Sequence, residues 1–185
     1  MTAELAEESK DEFGTRDITF SVWNPAEMNA PIQTFTKESI FFGWQEVEDA
    51  NFDGYMDFGY LFYAGNQPNY WHYWLWDEES AQFIYCEPLL GVSQPMFDAD
   101  RQIVTGWARS SAASGTNTYY RWIDAELVLV REIEHEFLSE YIEWAAVEDL
   151  IDGQMVEVYR NECKVGSPEH DEMLKWHDLD YHGEP

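Results

Sequence analysis

The stretch Ile40-Phe-Phe-Gly-Trp-Gln-Glu-Val-Glu-Asp-Ala-Asn-Phe-Asp-Gly-Tyr-Met-Asp-Phe-Gly-Tyr-Leu-Phe-Tyr63 holds two runs rich in aromatic and aliphatic residues, Ile40 to Val47 and Phe58 to Tyr63, separated by a polar nonapeptide. Such runs suit a pleated, half-buried surface, and polar residues around a glycine suit the turn between them, so the stretch reads as two strands and a loop. Working outward, the same alternation of short apolar runs with turn residues continues from Asp17, giving further candidate strands at 18–23, 70–76, 82–87, 102–109, 118–123, 127–132, 141–147 and 155–159. Asp77-Glu-Glu-Ser, Asp98-Ala-Asp and Asp152-Gly153 read as hairpin turns, and Ser110 to Asn117 as a longer small-residue loop. The expected fold is mainly β, built of antiparallel sheets. Trp76 and Trp122 stand 46 residues apart in similar settings, a spacing within the range of a propeller blade. The arrangement expected is therefore a small or irregular β-propeller, with a β-sandwich as the alternative.

The nonapeptide, Asp49 to Asp57, spaces oxygen ligands as calcium requires. Asp49, Asn51 and Asp53 supply side-chain oxygens at alternate positions, Gly54 permits a sharp turn, Tyr55 offers its carbonyl, and Asp57 takes the ninth place. An EF-hand would need a bidentate Glu at its twelfth position, where this chain has Tyr60, and would lie between helices rather than strands. Ca2+ is the expected cofactor. Ligands drawn from one loop point to a structural ion, since catalytic metals keep an open position.

With 37 acidic against 10 basic residues the 185-residue chain carries a formal charge of -27, a field that repels nucleic acid and anionic membranes and favours cations and basic proteins. No run of 18 apolar residues and no basic-then-apolar signal is present, so no membrane insertion of this segment is expected. The polar start suits the tether of an exported protein whose export signal is absent from this sequence, which would place it in the periplasm, lipid-anchored to the envelope, or outside the cell. The organisation expected is a flexible acidic lead-in over 1–16, a single β domain over 17–165 and an acidic C-terminal tail over 166–185. Cys86 and Cys163 are either one bridge or two buried thiols.

Residues that could carry chemistry are few. No acid pair stands out among so many carboxylates, and no nucleophile elbow or phosphate-binding glycine loop occurs, so the chain reads as a non-enzyme. His170, His177 and His182 fall in the tail at spacings that match no compact zinc motif and read as solvated, whereas His72 and His135 read as packing or surface residues. Within Tyr70-Trp-His-Tyr-Trp-Leu-Trp76, strand alternation would bury one set of side chains; exposed rings could stack on sugars, the basis of an alternative reading as a carbohydrate-binding module.

Val47 to Phe58 resembles the D-x-N-x-D-G-x-x-D loops of integrin-type FG-GAP propellers, where the motif recurs in every blade but here occurs once. A fuller resemblance, from Gly43 to Arg131, is to bacterial envelope proteins with one N-F-D-G-Y loop, a W-x-W-D hairpin and a Ser-rich loop leading to a Tyr-Tyr strand: Asn51 to Tyr55, Trp74 to Asp77, and Ser110 to Tyr120 in this chain. That group includes immunity proteins that inhibit lysozyme-like peptidoglycan hydrolases. The resemblance implies a propeller-like β fold, bound calcium and a basic hydrolase as partner. Periplasmic lysozyme inhibitors also carry an S-G-x-x-Y loop that enters the hydrolase cleft. The counterpart here, Ser114-Gly115-Thr-Asn-Thr-Tyr119, has three residues between Gly and Tyr; it makes Ser114, Gly115 and Tyr119 the candidate partner-binding residues, the other reading being a hairpin loop with Tyr119 packed inside.

Overall fold

A computed structural model of the chain describes residues 2–5, 14–26, 29–40, 45–65 and 68–183. Among these residues the chain is mainly β, in three antiparallel sheets with two short helices. It gathers into two compact units, Met1–Gly91 and Val92–Pro185, whose boundary falls inside the stretch read as one domain.

In the first unit, β1 (Thr2–Leu5), β2 (Arg16–Val22) and β3 (Gln33–Ser39) form one sheet, and β4 (Gln45–Glu48), β5 (Asp57–Ala64), β6 (Asn69–Asp77) and β7 (Gln82–Cys86) form a four-stranded meander followed by α1 (Glu87–Leu90). Alternation along β2 turns Ile18 and Phe20 inward, where they meet Phe58 and Tyr60 of β5 and Trp74 of β6. Phe20 lies 4.7 Å from Tyr60 and 5.2 Å from Phe58 between ring centroids, and Phe35 stacks on Trp74 at 4.5 Å, so the two sheets face each other across a layer of rings. Each such pair contributes about 0.5–1.5 kcal/mol beyond the area it buries. Gly59 of β5 pairs with Tyr73 of β6, and a Cβ there would come within 2.8 Å of the Tyr73 ring; the missing side chain lets that phenol cross the strand and donate to Glu46.

In the second unit, β8 (Met96–Asp98), β9 (Ile103–Arg109), β10 (Ser114–Ile123), β11 (Glu126–Ser139), β12 (Ile142–Ile151) and β13 (Gln154–Lys164) follow one another in a six-stranded meander, and α2 (Pro168–Lys175) comes last. Two-residue turns join β10 to β11 and β12 to β13. Asp124 and Ala125 (φ 50° and 64°) and Asp152 and Gly153 (φ 51° and 79°) place both central residues in the left-handed region, as the twist of tight hairpins demands. Ile103, Tyr119, Ile133 and Val147 form the core with Trp176.

Several sequence expectations change. Thr2–Leu5, read as lead-in, pairs with Ile18 to Ser21 as β1, and residues 6–13 and 41–44 lie outside the described residues. The segment read as a solvated acidic tail instead forms α2, capped by the Ser167 side chain and buried through Met173, with Trp176 3% exposed just beyond it. Its carboxylates face outward while two apolar side chains supply the anchor. The four-stranded β4–β7 meander has the strand count of a propeller blade; the six-stranded sheet does not. The Trp76 and Trp122 echo is one of hairpins, since each tryptophan pairs across a turn, with Phe83 and Leu127 respectively.

Candidate metal centre

Glu48 and Asp57 are cross-strand partners at the ends of β4 and β5, which fixes the nonapeptide as a loop closed at its base. Inside it, Asp49 accepts backbone N–H groups with both oxygens, from Asp53 at 3.0 Å and from Gly54 at 2.9 Å. The Asn51 Oδ1 accepts from the same Asp53 N–H at 3.3 Å, its Nδ2 donates to Asp53 Oδ2 at 2.8 Å, and Asp53 Oδ1 accepts the Tyr55 N–H at 2.8 Å. Phe52 (φ 62°) and Gly54 (φ 92°) supply the left-handed residues that let the backbone curl round these oxygens.

Asp57 differs from the others in being 1% exposed. Its two oxygens accept the Ala50 N–H and the Trp76 N–H, each at 2.8 Å, so one carboxylate ties the loop both to itself and to β6. Burial pushes the Asp57 carboxyl up to about 6; the two N–H bonds oppose the shift, and the Asp53 and Asp49 carboxylates add to it. The loop thus crowds three carboxylates, one of them desolvated, where a cation would relieve them.

The donors are all hard oxygens, the set calcium takes in preference to zinc or copper. Asp49, Asn51, Asp53 and Asp57, with the Tyr55 carbonyl, are the residues that would hold it. Among the described residues no group of three or more His, Cys, Asp and Glu side chains is placed to hold a metal ion. The carboxylates are turned onto N–H groups of the loop and, for Asp57, also of β6, and each carboxylate oxygen accepting one N–H keeps a further lone pair.

The candidate partner-binding residues are separated by strand alternation. Ser114 and Gly115 open β10 rather than sitting in a loop, and Gly115 is buried between Arg109 of β9 and His135 of β11. Tyr119, on the same face, is 8% exposed; its hydroxyl lies 2.7 Å from His177 Nδ1 and is pushed up to about 12 by burial. What remains at the surface is the short turn 110–113, held by the Ser111–Ser114 hydroxyl contact at 2.8 Å and by Arg109 donating to the Ser111 and Ala112 carbonyls.

In the aromatic run of β6, His72, Tyr73 and Trp74 are all buried, Trp74 in the ring layer and Tyr73 over Gly59. The strand is covered on both faces, and a sugar-stacking surface there would be left with the half-buried Tyr70, Trp71 and Trp76. Both cysteines are free and buried, one in each unit. His170, read as solvated, contacts Glu143 at 3.0 Å, and Glu143 also meets His135 at 3.4 Å. The buried Arg131 had no signal in the sequence; its partners arise from chain segments 18 to 50 residues away.

Comparison with known protein families and with curated proteins gives no match. Among solved structures the chain is similar to that of a Xanthomonas type IV secretion system related protein, with a TM-score of 0.55 and 14% identity over 86% of this chain and 100% of that one. At that identity the likeness is one of fold. No helix among the described residues is long and apolar enough to cross a membrane.

Proposed function

We propose that the protein is a calcium-stabilised, non-enzymatic binding protein of the bacterial envelope or exterior that restrains a lysozyme-like peptidoglycan hydrolase. The observation that carries the calcium part is the closed 49–57 loop, in which the buried Asp57 links the oxygen-lined turn to Trp76 of β6. An ion held there braces the β5–β6 pair and offsets the mutual repulsion of Asp49, Asp53 and Asp57. The formal charge of -27 supports a basic partner, because opposite charge speeds encounter. The fold shared with a type IV secretion system related protein supports an envelope setting. Ser114 and the 110–113 turn are the surface offered to the partner, with Gly115 and Tyr119 holding β10 behind them.

Thermal melting with and without a calcium chelator tests the first part. The wild-type melting temperature rises with calcium, by the equivalent of about 2.7 kcal/mol at a hundredfold excess over the dissociation constant, and the Asp53→Ala variant does not respond. Identical responses would make the loop a simple turn. Titration against basic lysozyme-type hydrolases tests the second: near-stoichiometric inhibition, lost in Ser114→Asp, is expected, and its absence across hydrolase classes would remove the inhibitor reading while leaving calcium binding intact.

A further inference from the structure

The turn joining β11 to β12 departs from the polar composition usual at a hairpin tip. Phe137, Leu138 and Tyr141 fall within five residues there and are 43%, 52% and 59% exposed. Leu138 is the extra residue of the register shift between Phe137 and Ser139, so it stands out from the ladder. The tip is nevertheless held in place. The Ser139 hydroxyl accepts the N–H groups of Tyr141 and Ile142, each at 3.2 Å, and the Tyr141 carbonyl accepts the Val165 N–H at 2.9 Å. Phe137 donates its N–H to the Ala113 carbonyl at 2.8 Å, which sets the tip beside the 110–113 turn, and its ring meets the His135 imidazole edge-on at 6.3 Å.

Apolar side chains exposed singly are ordinary, whereas a contiguous set marks an interaction site. Anchors that are already ordered lose little entropy when they are covered. What covers them follows from charge. Glu136 and Glu140 flank the three apolar residues, and Glu136, Trp144 and Glu162 lie in one row across β11, β12 and β13. Against these carboxylates stand Lys164, the cross-strand partner of Ile142, and Arg109, whose guanidinium is spent on the Ser111 and Ala112 carbonyls. A second copy of the chain brings another formal charge of -27 and is repelled, while a basic surface is drawn in.

We infer that this hairpin tip is the docking surface for a basic protein, whose apolar recess receives Phe137, Leu138 and Tyr141 while its Lys and Arg side chains meet Glu136 and Glu140. The inference rests on the proposed restraint of a basic hydrolase and adds an apolar anchor beside Ser114 and the 110–113 turn. The probes are a basic c-type and a basic g-type lysozyme, each titrated into the full 15N-labelled chain while its lytic activity is followed in parallel. The amide resonances of residues 137–141 move saturably. Leu138→Ala and Tyr141→Ala each weaken binding at least about tenfold, as truncation of a central interface anchor does. Glu140→Lys weakens it and lessens its dependence on salt, and Ile123→Ala, an exposed site at the opposite end of β10, leaves it unchanged. Unaltered melting temperatures establish that the variants are folded. Inhibition without movement at 137–141, or undiminished in both Leu138→Ala and Tyr141→Ala, overturns the docking surface and leaves the inhibitor reading standing. Saturable movement at 137–141 without inhibition supports the surface and overturns the inhibitor reading. Neither response with either probe overturns both.

Discussion

In residues 1–91 one sheet covers another through rings, with Phe20, Phe35, Phe58, Tyr60 and Trp74 in mutual contact. In residues 92–185 the inward face of the six-stranded sheet is covered instead by α2 and the turn after it, where Met173 and Trp176 pack against the sheet and a polar fastening is added. Arg131, 1% exposed, makes five hydrogen bonds, two to the Asp149 carboxylate and one each to the carbonyls of Trp176, Asp178 and Tyr181. Apolar packing is non-directional and tolerates exchange of shape. A guanidinium whose five donors all have acceptors is directional, and its loss strands every partner together.

The largest effects should separate the two fastenings. Trp74→Ala is expected to cost the first unit about 3–5 kcal/mol by removing a ring from a packed layer. Arg131→Ala should cost the second unit a similar amount, because it leaves Asp149 and three carbonyls unpaired. Hydrogen exchange resolved by residue distinguishes them: protection falls within 1–91 in the first variant and within 92–185 in the second. The comparison sharpens with Arg131→Met combined with Asp149→Leu, which recovers stability relative to Arg131→Ala because the stranded carboxylate is gone. Equal loss in the double variant would mean that the three carbonyls, rather than the ion pair, dominate.

A smaller effect is expected at Gly54, where a Cβ meets nothing within 4 Å but φ is 92°. Gly54→Ala should therefore cost about 1–2 kcal/mol through backbone conformation alone, measurable as a shift of the urea midpoint with unchanged slope. A loss several times larger would show that the turn is more tightly constrained than its open surroundings indicate.

The smallest effect is one of pH and lies again in the ring-packed unit. His72 is buried between the Tyr85 hydroxyl at 2.9 Å and the Glu38 carbonyl at 3.0 Å, and burial holds its pKa below the usual 6.5, with Lys37 adding to the shift and the Glu38 bond opposing it. A depressed folded-state pKa means that the unfolded chain takes up the proton first. The His72 contribution is complete above pH 6.5 and is lost as pH falls below that value. Stability of the wild type should consequently fall more steeply between pH 7 and 5.5 than that of His72→Gln, and parallel profiles would show that the imidazole is not held neutral. Asp57 titrates in the same interval with the opposite sign, its folded-state pKa being raised to about 6, which is why the difference between wild type and variant is the quantity to measure.

Much of the β architecture was legible because turn residues punctuate it. Asp152-Gly153 marked its hairpin, and the runs at 58–63 and 102–109 lie within or beside observed strands. β3 was not legible, since Gln33-Thr-Phe-Thr-Lys-Glu-Ser39 carries one large apolar residue and its place is set by pairing with β2. Alternation failed along β6, where three consecutive residues are buried, because Gly59 opens a second face to Tyr73. The candidate metal loop was readable from spacing, but the burial of Asp57 and its bond to Trp76, 19 positions on, belong to the fold. The C-terminal segment misled because acidic composition reports the outward face, while Met173 and Trp176 decide the packing.

The fastening at Arg131 also sets an order of events during synthesis. Its farthest acceptor, the Tyr181 carbonyl, is 50 residues downstream. At about 5–20 residues per second, that acceptor is made roughly 2.5–10 s after Arg131 itself, whereas the ring layer of the first unit is complete much earlier. For those seconds a nascent chain holds Arg131 without its last acceptor, so the full set of five hydrogen bonds can form only once Tyr181 has been made.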